Sequence, residues 1–258
     1  MSSKEYHDGR TMENNLALHS LLKTLLNFDD IDSEGGGHTG TKGDAFGIVN
    51  EQRIPISVKY SGTPNTQVHL TTLEQLSELL DMPTDVYDRL QRFFGVTDTE
   101  KFWSWFVDSA PTEFELHNKR MTINHITGWD MVIEWLNTQT EMIARLCIQS
   151  IKNENPVRYL TWINKNTNQV SILDTELLIA WIRENCVWQT GPRNGGTTFR
   201  CVYTNSVNAK GKTVYKPLLS CQMKGSGGKN GEKDHCPQFH IHNNWPDAAV
   251  LHKNLLLS

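Results

Sequence analysis

The sequence predicts an α/β fold: a mixed central β-sheet flanked by helices, with a β-rich C-terminal lobe. Three observations predict it. Two short apolar runs, 45–49 and 54–58, flank a polar turn at 50–53, which is the pattern of a β-hairpin. Residues 12–28 and 129–148 place apolar side chains three or four apart, the period of a helix with one buried face. Beyond residue 155, short β-rich runs alternate with turn formers. The expected division is 1–150, holding the hairpin and most helices, and 151–258, the β-rich lobe, packed as one compact unit.

Each element follows from local pattern. In 12–28, Leu18, Leu21, Leu22 and Leu25 mark one face, with Glu13 near the start. Residues 29–43 hold four acids and five glycines; Gly-rich backbone permits close approach to a ligand, and this segment reads as a flexible lead-in to Asp44. It is not a phosphate-binding P-loop, because no Lys-Ser/Thr follows its glycines. Residues 60–67 leave the hairpin as a polar turn. Thr72-Leu-Glu-Gln is a capping box opening a helix over 72–80, and Pro83 breaks it. Residues 85–94 read as helical. Residues 99–107 carry Phe102, Trp103, Trp105 and Phe106, a density that points to core packing. Residues 158–163 and 169–173 form a second hairpin, 174–185 a short helix, and 189–198 a Gly-rich loop. Strands are expected over 198–204, 213–223 and 238–242, the last closing the fold, with a long loop over 225–237.

The chain has 258 residues, 38% apolar and 21% charged, the composition of a globular protein rather than a disordered one. No apolar run approaches the roughly 20 residues that span a bilayer, and residues 1–8 lack a signal-peptide core, so a cytoplasmic protein without membrane partners is expected. Five cysteines without C-x-x-C spacing fit reduced thiols better than a disulfide framework. The net charge of −4 hides an asymmetry. Residues 1–118 hold 9 Lys/Arg against 19 Asp/Glu, a balance of −10; residues 190–258 hold 9 against 3, a balance of +6. An acidic half suits metal ligation and a basic third suits phosphate contact.

The chemistry centres on the first hairpin. Asp44 opens it, and after twelve intervening residues comes Ser57-Val58-Lys59. Neighbouring strands lie about 4.8 Å apart, and Ser57 and Lys59, two apart, share a face. A carboxylate, a hydroxyl and an ammonium on one rim suit a divalent metal beside a phosphate. This spacing resembles the Asp…(Glu/X)-X-Lys signature of the PD-(D/E)XK nucleases, with two departures: Gly43 stands where that family has Pro, and Ser57 where it has an acid. Near the C-terminus, Leu219-Ser-Cys-Gln-Met-Lys-Gly-Ser-Gly-Gly-Lys-Asn-Gly-Glu-Lys and then Pro237-Gln-Phe-His-Ile resemble the recognition segment of small monomeric type II restriction endonucleases of the MspI kind, which also tolerate an amide in place of the acid.

The resemblance implies a restriction-endonuclease-like fold and a Mg²⁺-dependent, sequence-specific endonuclease of double-stranded DNA, working as a monomer at a short GC-rich site. Asp44, Ser57 and Lys59 would be catalytic. Glu13 or Glu34, with Asp32 as a further alternative, would supply the acid missing at Ser57. Asp44 and the Val58 carbonyl would hold Mg²⁺. DNA contacts would fall on Ser61, Thr63, Asn65 and Gln67 after the catalytic strand. Further contacts would fall on Gln222, Lys224, Gln238 and His240, because Gln pairs with adenine and Lys reaches guanine O6 and N7. Lys229 and Lys233 suit phosphates. Two alternatives stay open: a non-catalytic DNA-binding protein with a decayed site, or a phage homing nuclease. Cys221, His235, Cys236, His240 and His242 fit no common zinc spacing.

Overall fold

The computed structural model describes residues 15–33, 44–70, 72–94, 129–149, 155–190, 198–224 and 236–257. In chain order the elements are α1 (Leu16–Leu26), β1 (Asp30–Asp32), β2 (Ala45–Val49), β3 (Gln52–Ser61), β4 (Asn65–Leu70), α2 (Leu73–Leu79), α3 (Thr84–Phe94), α4 (Trp129–Thr138) and α5 (Thr140–Ile148). There follow β5 (Tyr159–Asn164), β6 (Gln169–Asp174), α6 (Thr175–Asn185), β7 (Val187–Thr190), β8 (Thr198–Val207), β9 (Thr213–Lys224), β10 (Cys236–His242) and β11 (Val250–Leu256). The chain divides into two compact units, Met1–Thr66 with Ala144–Glu184 and His242–Ser258, and Gln67–Ile143 with Asn185–Ile241. The aromatic stretch 99–107 lies outside the described residues.

The first unit is built on a six-stranded sheet ordered β1-β2-β3-β5-β6-β11. The β3–β5 pair is parallel and its other pairs are antiparallel, so the sheet is mixed, as the sequence predicts. The hairpin turn is two residues long, with Asn50 at φ 48° and Glu51 at φ 66°. Both central residues at positive φ make the turn that matches strand twist. Pro55 costs the ladder nothing, because β5 first pairs at Ile56 and the Pro55 carbonyl accepts from the Arg158 amide at 2.9 Å.

One face of this sheet is core. Ala45, Ile56, Val58, Ile163, Val170 and Ile172 bury against Leu18 and Leu22 of α1 and against Phe28. Asn15 caps α1 by accepting from the Leu18 amide at 3.0 Å, and Asn27, at φ 55°, ends it in the left-handed region. Each fully buried Leu or Ile here contributes about 1.5–3 kcal/mol. Gly47 sits where a Cβ would land inside the Phe28 ring. Gly47→Ala should therefore destabilise by about 1–3 kcal/mol through overpacking, read as a lower urea midpoint with an unchanged slope.

The opposite face carries Asp44, Ser57 and Lys59, with Leu160, Trp162 and Leu173 at paired positions. The same unit joins α5 to α6 through charge. Arg145 reaches Glu176 at 3.1 Å and Gln149 reaches it at 2.5 Å, and the side-chain hydrogen bonds from Arg145 and Gln149 hold the Glu176 carboxyl below its ordinary value. Its contribution to stability is present above the unfolded-state pKa and lost as pH falls through the lower folded one. Glu176→Gln should thus lower the denaturation midpoint at neutral pH, and the gap from wild type should close in acid, below the usual glutamate range.

The second unit holds a five-stranded sheet ordered β4-β10-β9-β8-β7. Register sorts its two faces. Trp188, Cys201, Leu219 and Ile241 form one cross-strand row and Phe199, Cys221 and Phe239 another, all buried. These apolar rows occupy one face, and α4 meets β7 beside it, where Asn137 accepts from the Trp188 amide at 2.8 Å. The other face carries Gln222, Gln238 and Thr198 in one row and His240, Ser220, Arg200 and Gln189 in the next.

Three expectations are corrected. The single helix over 129–148 is two, broken at Gln139. There the Thr140 hydroxyl bonds back to the Leu136 and Asn137 carbonyls, at 3.3 and 3.0 Å, and bends the turn. The lead-in to Asp44 contains the short strand β1, and the expected turn over 60–67 is β3 running on to Ser61 with β4 opening at Asn65. Strand 238–242 does not close the fold, because β11 follows and returns to the first sheet beside β6.

Candidate active site

Pairing places the site. Ala45 lies opposite Ile56, so Asp44, one residue earlier, stands level with Ser57. The Asp44 amide closes the ladder on the Ile56 carbonyl at 2.8 Å. Past that point β2 is absent, and the next outward groups of β3, the Val58 N–H and C=O, have no ladder partner from β2. The Asp44 side chain fills the gap. Its Oδ2 accepts from the Val58 amide at 2.6 Å, the Ser57 hydroxyl at 3.0 Å and the Lys59 ammonium at 3.0 Å. The same ammonium lies 3.4 Å from the Val58 carbonyl.

The two charged side chains are 16% and 19% exposed, so solvent reaches the pair while most of its surroundings are protein. Ser57 is 1% exposed, and its hydroxyl is spent on Asp44. Trp162, paired with Lys59 across the parallel ladder, stands on the same face and packs edge-on against Trp245 at 5.5 Å. Sequence reasoning missed the Val58 amide and Trp162.

The donor set meets the minimum for a hard cation. Mg²⁺ takes one or two carboxylates and completes its shell with waters and phosphate oxygens; here Asp44 offers one carboxylate and Val58 one carbonyl. Among the described residues no group of three His, Cys, Asp or Glu could hold a metal. Glu13 and Glu34 lie outside the described residues. Asp32 ion-pairs with Arg53 at 2.8 Å. The zinc set does not assemble either: Cys221 pairs with Phe239 on the apolar face, while His240 pairs with Ser220 on the other.

The expected DNA contacts divide. Ser61, Thr63 and Asn65 form a local knot, with the Ser61 and Thr63 hydroxyls 3.1 Å apart and the Thr63 hydroxyl donating to the Asn65 carbonyl at 2.6 Å. Gln222 and His240 are half-buried on the polar face of the second sheet. Gln238 is buried, its amide donates to Gln67, and its Oε1 has no partner. Lys224 ends β9; Lys229 and Lys233 lie outside the described residues. Cys147, Cys186, Cys201 and Cys221 are buried and in no disulfide. Among the described residues no helix is long and apolar enough to cross a membrane.

No protein-family model matches the chain, and no curated protein matches it. Among solved structures it is similar to the crystal structure of the restriction endonuclease MspI in complex with its cognate DNA, at 14% identity and a TM-score of 0.42, over 89% of this chain and 81% of that one.

Proposed function

We propose that the chain is a Mg²⁺-dependent, sequence-specific endonuclease of double-stranded DNA, a cytoplasmic type II restriction enzyme acting as a monomer. The convergence of Asp44, Lys59 and the Val58 carbonyl on one rim of β3 carries this reading. Asp44 would hold the ion through Oδ1, which none of its three donors uses, together with the Val58 carbonyl. When bound, Mg²⁺ supplies Lewis-acid polarisation of the scissile phosphate and a water of lowered pKa. Ser57 and the Val58 amide fix the carboxylate in place. Lys59 orients the attacking water and offsets the charge that grows on the phosphate. Trp162 limits water on one side of the ammonium. Gln222 and His240, on the polar face of the second sheet, and Lys224, which ends β9, are the base-reading residues of this proposal.

A non-catalytic DNA-binding protein is the second reading. It is favoured by Ser57, a buried hydroxyl where the resembled family carries an acid. Supercoiled plasmid incubated with the protein, with Mg²⁺ or with EDTA, separates the two. Discrete fragments with uniform sequenced ends, formed only with Mg²⁺, support the endonuclease. A gel shift without cutting supports the binder. Neither cutting nor binding overturns both.

A further inference from the structure

The hairpin of β8 and β9 outgrows its sheet. β7 pairs with β8 only as far as Val202, and β10 pairs with β9 only as far as Leu219. Beyond them the two strands pair with each other alone, Tyr203 with Lys216, Thr204 with Tyr215, Ser206 with Val214 and Val207 with Thr213. Residues 204–213 are all exposed. The ribbon extends roughly 15 Å at 3.4 Å per residue. A two-stranded hairpin of this kind buries little and is marginal by itself.

Its tip is nevertheless well defined. The Asn208 side chain accepts from the Lys210 amide at 2.9 Å and the Lys212 amide at 3.0 Å. The Asn208 amide donates to the Lys212 carbonyl at 2.9 Å, and Gly211 turns at φ 71°. The ribbon carries Lys210, Lys212 and Lys216 and no acid. Residues 185–231 as a whole hold seven Lys/Arg and no Asp or Glu. None of the three ribbon lysines has an acidic partner among the described residues.

We propose that this ribbon grips the phosphate backbone of duplex DNA as a sequence-independent anchor, separate from the base-reading residues. The proposal rests on the reading above that the partner is double-stranded DNA. A protein partner would need an apolar centre to bury; the ribbon's exposed large apolar side chains are the scattered Val207 and Tyr215, with Tyr203 and Val214 half-buried. Phosphates need only positive charge at the right reach, and a ribbon held by its own turn supplies that with little ordering left to do.

The test is the triple variant Lys210→Gln, Lys212→Gln, Lys216→Gln, whose positions lie outside the packed sheet. Fluorescence anisotropy would follow binding to a random-sequence duplex of about 30 base pairs across a salt series in EDTA, beside plasmid digestion in Mg²⁺. The salt slope should shrink by about 2–3, at about 0.9 for each phosphate no longer neutralised. Affinity at about 0.1 M salt should fall roughly tenfold or more, and the sequenced cut site should stay the same. An unchanged slope and affinity in the variant, with wild type binding normally, overturns the anchor and leaves the endonuclease standing. A shifted cut site overturns it too, because the lysines would then be reading bases. If wild type binds no duplex at all, the anchor and the endonuclease reading fall together.

Discussion

Lys59→Ala should abolish Mg²⁺-dependent cleavage while leaving duplex binding close to wild type. The expected loss in rate is about 10²–10⁴-fold, the range for removing a positioned proton-transfer group or a fixed donor aimed at developing charge. Among the described residues, the other groups bonded to Asp44 Oδ2 are an amide and a buried hydroxyl, neither carrying charge. The variant should fold, because Asp44 keeps the Val58 amide and the Ser57 hydroxyl as donors and stays in reach of solvent. A second readout runs the other way. The ammonium lies against both residues that would hold a cation, 3.0 Å from the Asp44 carboxylate and 3.4 Å from the Val58 carbonyl, so its charge opposes a cation bound by the same two residues. Calorimetric titration with Mg²⁺ or Mn²⁺ should find tighter binding in Lys59→Ala than in wild type. A role limited to packing would give neither this rise nor the selective loss of cutting. A variant that still cuts the plasmid at the wild-type rate would remove Lys59 from the chemistry.

The site is legible in the sequence where it depends on local geometry and obscure where it depends on the ends of neighbouring strands. Asp44 and Lys59 meet because a hairpin brings paired strands close and the strand period is two, both readable in the run 45–59; the turn itself is two residues, Asn50 and Glu51, where the sequence suggests four, 50–53. β2 starts at Ala45, as the apolar run 45–49 suggests, but no pattern in the sequence shows that the Asp44 side chain turns back to accept from the Val58 amide. Gln238 looks like a surface amide in sequence, since its neighbours alternate polar and apolar. It is buried, and its donor goes to Gln67, 171 residues away. β11 is hidden for the same reason. Its run Val-Leu-His-Lys-Asn-Leu-Leu has weak alternation, and its partner β6 lies far back in the chain. Short edge strands such as β7 carry too few residues for a period to show.

Asp44→Asn should cost more than the loss of Lys59, and by a different route. The substitution keeps shape and size. Its amide oxygen can take the place of Oδ2 and accept from Ser57, Val58 and Lys59, so the rim keeps its geometry. Losing the charge weakens the Val58 and Lys59 bonds, which should lower stability by about 1 kcal/mol. The –NH₂ then points where Oδ1 stood and presents hydrogens to any cation, where a lone pair is required. Among the described residues no group of three His, Cys, Asp or Glu stands ready to take its place. Cleavage should fall by about 10³-fold or more, on the scale set by loss of a metal's charge stabilisation, and the heat of Mg²⁺ binding should disappear. The double variant with Lys59→Ala decides whether one site is at issue. If lysine and ion share the same ligands, removing the lysine cannot restore binding once the carboxylate is gone, and the two changes are strongly non-additive. An Asp44→Asn protein that still binds Mg²⁺ as wild type does would put the ion elsewhere, and the hairpin would lose its part in the chemistry.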